Sequence, residues 1–189
     1  MTMARNRRGL DIGARPWTRP RVLARVVLAA CLCFTGVPVI AADAPLEFTP
    51  QAGFEGASQG RGTLRLLGRA PRAFRVESNG RRQPDGTFWL AQTIFMQGKA
   101  RQQRTWLIRT LPGNRYEATL SDAAGRVTGS HAGRTLLLRY RITGPLVMHQ
   151  RLDLSTDGRT IANVGVIRAF GVPIGRLDET ITRAPPSAR

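Results

Sequence analysis

From Thr63 to Thr182 the chain alternates between apolar and polar residues, with turn signals between the alternating runs. A period of two places successive side chains on opposite faces, which is the pattern of a half-buried strand. Leu64 and Leu66 share one face, and Phe74 and Val76 stand opposite Arg75 and Glu77. Leu136, Leu138, Tyr140 and Ile142 alternate with Arg139 and Arg141. Leu146, Met148, Leu152 and Leu154 face in where His149, Arg151 and Asp153 face out. Asn79-Gly80, Pro84-Asp85-Gly86, Pro112-Gly113-Asn114, Ser121–Gly125 and Asp157-Gly158 are turn chemistry between such runs. No helical window of useful length interrupts them. The spacing predicts about nine or ten strands in an all-β antiparallel meander, closing into a lipocalin-like barrel so that no edge is left open.

Further runs fall at Tyr116–Leu120, Val127–Ser130, Ile161–Arg168 and Val172–Thr182, with His131-Ala132-Gly133 read as a solvated turn. Gln97–Arg104 reads as a loop before a strand at Thr105–Thr110. Thr87–Met96 is apolar on both faces, with Trp89 and Phe95 on one and Phe88, Leu90 and Ile94 on the other. Such a strand is covered on both sides, or its outer face meets something.

Before the strands comes a different kind of sequence. Six arginines and one acid precede Val22, and an apolar run broken only by Arg25 continues to Ala42. Basic start, apolar centre and small residues at the end make a secretory signal over residues 1–42, with cleavage after Ala41 or Ala42. The competing reading is a retained anchor, but Val26 to Ala41 holds 16 uncharged residues, short of the roughly 20 that a spanning helix needs. Residues 1–21 exceed what a signal requires, so translation starting near Val22 stays open. Leu28-Ala29-Ala30-Cys31 reads as a lipidation motif, which makes Cys31 a candidate lipid attachment point. Both cysteines, Cys31 and Cys33, lie in this segment. A processed chain then has no disulfide, thiol nucleophile or thiolate metal site, and a single domain over residues 43–183 must stand on its core. Residues 184–189 read as a disordered tail.

Seven of the 29 basic residues and one of the 12 acids precede Ala42, which leaves the rest of the chain at +11. Only Lys99 among those later cations is a lysine. A basic exported domain meets anionic membrane surface or acidic polymer rather than nucleic acid. The cations are scattered, as on a solvated surface.

Phe54-Glu55-Gly56 with Gly60-Arg61-Gly62 resembles the opening of a family of Gram-negative envelope proteins, domain of unknown function 3833. Arg104-Thr105-Trp106, Arg115-Tyr116, Asp122, Gly125 and Gly129 resemble its centre, and Asn163 with Phe170–Gly175 its end. The resemblance implies an envelope protein, in many members a lipoprotein, and supplies no catalytic residues. The chain departs from it near Arg65 and Gln150-Arg151, where the resemblance implies acids.

No catalytic or metal constellation emerges from the residues. His131 and His149 are not at ligand spacing, and no cysteine accompanies them, which argues against zinc. Ser121, Asp122 and His131 lie close in sequence, but no Gly-X-Ser-X-Gly elbow presents a nucleophile. Asp153–Gly158 opens like a calcium loop, yet Val164 stands where a bidentate glutamate belongs. Gly60-Arg61-Gly62 lacks the lysine and helix of a phosphate cradle and reads as a flexible strand start. The expectation is therefore a non-enzymatic protein without a cofactor, holding a lipid or other small apolar or amphipathic ligand. Trp89, Trp106, Tyr116 and Tyr140 are its candidate ligand-binding residues. The same aromatics also serve as plain core, in which case the barrel is filled and its outside docks an envelope partner. A hydrolase with polar residues on the barrel rim is the third possibility. Oligomeric state is left open.

Overall fold

The computed structural model describes residues 46–184. The expectations for the signal segment, for Cys31 and for the tail beyond Ala184 fall outside these residues. Ten strands follow in chain order: β1 (Gly56–Leu66), β2 (Arg72–Arg82), β3 (Phe88–Met96), β4 (Gln102–Leu111), β5 (Arg115–Leu120), β6 (Arg126–Ala132), β7 (Thr135–Thr143), β8 (Leu146–Leu154), β9 (Thr160–Ala169) and β10 (Val172–Arg183). Each pairs antiparallel with its sequence neighbour, and β1 pairs with β10 to close the barrel. The all-β meander expected from the period of two is the fold observed. Each of the nine hairpin connections carries a glycine at positive φ, Gly86 and Gly158 among them. Such turns follow the twist of the strands without steric cost, which keeps the meander tight.

Strand limits differ from the expectation in three places. β1 begins at Gly56, seven residues before Thr63, because Gly60 and Gly62 are paired strand residues set against Glu179 and Phe74. β4 takes in Gln102–Arg104, which pair with β3, although their polarity suggested a loop. β6 runs on through His131 to Ala132, so this histidine is not in a turn.

The core lies inside the barrel. Phe88, Leu90, Trp106, Ile108, Tyr116, Leu136, Tyr140 and Ile161 belong to one buried cluster, and Phe74, Val76 and Ile94 to a smaller one. Before β1, a one-turn helix α1 (Pro50–Phe54) closes one end. Thr49 caps it, accepting a hydrogen bond from the Ala52 amide at 3.0 Å, and Pro50 occupies the start of the turn. Phe48 and Phe54 enter the core beside each other, with ring centroids 6.2 Å apart. The Phe48 amide donates to the Gly133 carbonyl at 2.8 Å, which ties this plug to the β6–β7 hairpin.

Phe48 is fully buried, and its ring has no alternative place to go. Phe48→Ala is expected to lower unfolding free energy by about 3 kcal/mol or more in urea denaturation, the usual cost of deleting a core aromatic. A loss below about 1 kcal/mol would mean that the plug is not part of the core.

Candidate functional site

The two apolar faces of β3 resolve into an inside and an outside. Phe88, Leu90, Gln92 and Ile94 face the interior, and Trp89 and Phe95 the exterior. Directly across from them on β2 stand Arg81 and Arg75, whose guanidinium carbons lie 4.3 Å from the Trp89 and Phe95 ring centroids. Stacked cations cover these rings and explain an apolar outer face without a partner. Trp89 is accordingly removed from the interior set. The other three expected aromatics, Trp106, Tyr116 and Tyr140, are buried inside.

Five polar side chains face one part of that interior. On β3 and β4, Gln92 and Arg104 are register partners. The Gln92 carbonyl oxygen accepts from Trp106 Nε1 and from Arg104 Nε, both at 2.8 Å, and its amide donates to Ser78 Oγ at 3.1 Å. On β8, β9 and β10, Gln150 Nε2 donates to Asn163 Oδ1 at 3.3 Å, and Asn163 Nδ2 donates to Glu179 Oε2 at 2.8 Å. All five line one cavity, together with Trp106, Tyr116 and the plug residues Pro50 and Phe54. Water can occupy about 50 Å3 of it, space for a few molecules. Tyr140 packs edge-on against Trp106 at 5.6 Å and is not in contact with this space.

Burial pushes the Glu179 carboxyl above its ordinary range, opposed by the Asn163 hydrogen bond and the Arg104 charge. Burial also raises the Tyr140 hydroxyl. The room for Glu179 comes from β1, where a Cβ on Gly60 would overlap its Oε1. Gly62 is likewise occupied by the Phe74 ring. Neither glycine has positive φ, so Gly60-Arg61-Gly62 is a provision of space and not, as expected, of flexible backbone.

Nearer the plug, Tyr116 Oη lies 2.6 Å from His131 Nδ1, and His131 Nε2 lies 3.4 Å from Glu47 Oε2. The imidazole therefore bridges the Tyr116 hydroxyl on one side and the Glu47 carboxylate on the other. Burial, with the Glu47 charge second, lifts Tyr116 to about 12, which keeps it a proton donor. His131 is thus a buried link between barrel wall and plug, whereas the sequence placed it in solvent. The signal was absent locally, since Glu47 is 84 residues away.

Ser121 and Asp122 sit in the β5–β6 turn, at the opposite end of β6 from His131, so the three are not brought together. His149 is exposed, as expected, and partial desolvation with the Arg139 and Arg168 charges lowers its pKa. Asp153 accepts from Arg151 and Thr135, and Asp157 from Ser155 and the Arg159 amide, as parts of a hairpin.

The sequence model for a family described as protein of unknown function (DUF3833) matches residues 27–183. No protein of curated function matches the chain by sequence. Among solved structures, the S-type phycobiliprotein lyase CPES from Guillardia theta is similar in fold, with a TM-score of 0.56 and 7% identity. The alignment covers 70% of this chain and 89% of that one. At this identity the likeness shows the lipocalin-like barrel alone.

Because its carboxyl is raised, Glu179 holds a proton more tightly in the folded barrel than in the unfolded chain. Its contribution to stability is therefore fully present below the unfolded value, and is lost as pH rises through the folded one. Glu179→Gln keeps the acceptor for Asn163 but cannot ionise. The variant should be more stable than the parent at neutral pH, with the difference vanishing in acid. Chemical denaturation across a pH series reads this directly, and a gap that widens in acid would contradict it.

Proposed function

This chain belongs to the DUF3833 family of proteins of unknown function, and we propose that its barrel holds a small amphipathic ligand without catalysing a reaction on it. The observation that carries this reading is the polar set of Gln92, Arg104, Gln150, Asn163 and Glu179 around one cavity in an otherwise apolar interior. A barrel interior meant only for stability has no use for a guanidinium and a carboxylate, since burying charge costs more than burying hydrocarbon. A few convergent polar groups on an apolar lining are what a small-molecule site requires. Arg104, Trp106, Tyr116 and Asn163, which carry part of the family resemblance in the sequence, stand together here. The ligand's polar group pairs with Arg104 or Glu179, and its apolar part lies against Trp106, Tyr116 and Leu90.

One observation favours the rival reading of a filled barrel that acts through its outer surface. The cavity of about 50 Å3 falls far below the several hundred of a drug-sized site. Any ligand larger than a few water molecules requires Arg104 or the plug to shift. Native mass spectrometry of the purified protein separates the two. Ligand binding predicts a retained small molecule, and Arg104→Gln should weaken its retention about ten-fold, as loss of a charged hydrogen bond does. A bare protein that also takes up no added fatty acid would leave the filled barrel as the better account.

We propose in addition that the protein is exported to the cell envelope. The basic, apolar and small-residue succession over residues 1–42 supports this, as does the confinement of both cysteines to that segment. Expressed in a Gram-negative host, the chain should be recovered beginning at Ala42 or Asp43. A start at a lipid-modified Cys31 would make it a lipoprotein, and recovery from the cytoplasm beginning at Met1 would contradict export.

A further inference from the structure

Phe170 stands at the tip of the β9–β10 hairpin, 88% exposed, with φ of 49°. Among the described residues outside glycine, only Asn114 shares the left-handed region. Asparagine is suited to that conformation, and a bulky aromatic is not. The side chain thus bears backbone strain and gains almost no burial. Strain kept at an exposed position points to use outside the fold.

Its neighbours share the character. Val172 is 61% exposed and Leu67 81% exposed. The Leu67 amide donates to the Ile174 carbonyl at 2.8 Å, which places the β1–β2 turn beside β10. Arg168 donates from Nη1 to the Gly171 carbonyl at 2.8 Å and braces the tip. Three large apolar residues therefore project from one end of the barrel, the end opposite the plug.

Charge is distributed to match. The five connections at this end carry Arg69, Lys99 and Arg101 with a single acid, Asp122. None of these three cations is ion-paired to a described residue. The plug end, by contrast, holds four acids, Glu47, Glu55, Asp85 and Asp157, against Arg134 and Arg159 in its connections.

From this we infer that the hairpin end docks on the surface of a bilayer containing anionic phospholipid, with Phe170, Leu67 and Val172 entering the headgroup boundary and Arg69, Lys99 and Arg101 held against phosphate. Exposed apolar tips framed by unpaired cations are the combination that interfacial binding requires, the apolar part for insertion and the charge for attraction. A nucleic acid would use the cations and the Phe170 ring but leave Leu67 and Val172 without a role. The docking surface lies outside the cavity and does not depend on a ligand inside it.

The test uses residues 43–189, which contain the plug and the whole closed barrel with its buried core. Sedimentation with phosphatidylcholine vesicles, with and without phosphatidylglycerol, measures binding. The parent chain should bind only the anionic vesicles, and less so in raised salt. Phe170→Asn suits the turn, so its melting temperature should hold or rise while vesicle binding weakens about five-fold or more. Arg69→Gln with Arg101→Gln should weaken binding and flatten its salt dependence. Equal binding to neutral vesicles, undiminished binding by Phe170→Asn, or capture of single-stranded DNA with vesicles ignored would each overturn the inference.

Discussion

Strands β1 and β10 are the first and last of the sheet, and they pair residue for residue from Ser58 opposite Arg183 to Leu66 opposite Gly175. Without this pairing both strands would present unpaired amides and carbonyls along their length, a template for aggregation. With it, the strands divide space into an inside that side chains must fill and an outside that water covers. Ten strands enclose more room than the eight that side chains just fill. The chain answers with large aromatics and with the Phe48–Phe54 plug at one end. Where the ring of strands would otherwise be crowded, β1 supplies glycines at positions 60 and 62.

The interior polar set follows from the same closure. Gln92, Arg104, Gln150, Asn163 and Glu179 come from five strands that meet only because the sheet curves round. Each is partnered, so the charge inside the barrel is held rather than stranded. Two ends of the molecule then differ in kind: one is plugged and carries more acids than its connections carry cations, and the other carries exposed apolar residues, with Phe170 at positive φ, and cations without an ion pair among the described residues.

Much of the fold was legible because turn chemistry and alternation act locally. The inward set of β7 and β8, from Leu136 to Leu154, is as the period of two places it. What escaped was set by distant contacts. The sequence separated Trp89 from Leu90, yet nothing local says which face of a doubly apolar strand is inside; Arg81 and Arg75 across the sheet decide it. His131 looked like a turn residue because its partners, Tyr116 and Glu47, lie on other elements. The polar interior does leave a sign in the sequence: Gln92 is in phase with Leu90 and Ile94, Gln150 with Met148 and Leu152, and Glu179 with Leu177 and Ile181. A polar residue in phase with core residues is one the barrel has chosen to bury.

The central claim is that a charged, hydrogen-bonded group of side chains is locked inside a closed barrel. Hydrogen exchange at Arg104 Nε–H and Trp106 Nε1–H, followed by nuclear magnetic resonance, tests it most directly. Both protons rest on the Gln92 carbonyl oxygen, so both should persist far longer than those of surface arginines, and both should be lost together in Gln92→Leu. Exchange of the Arg104 proton as fast as that of an exposed guanidinium would contradict the account.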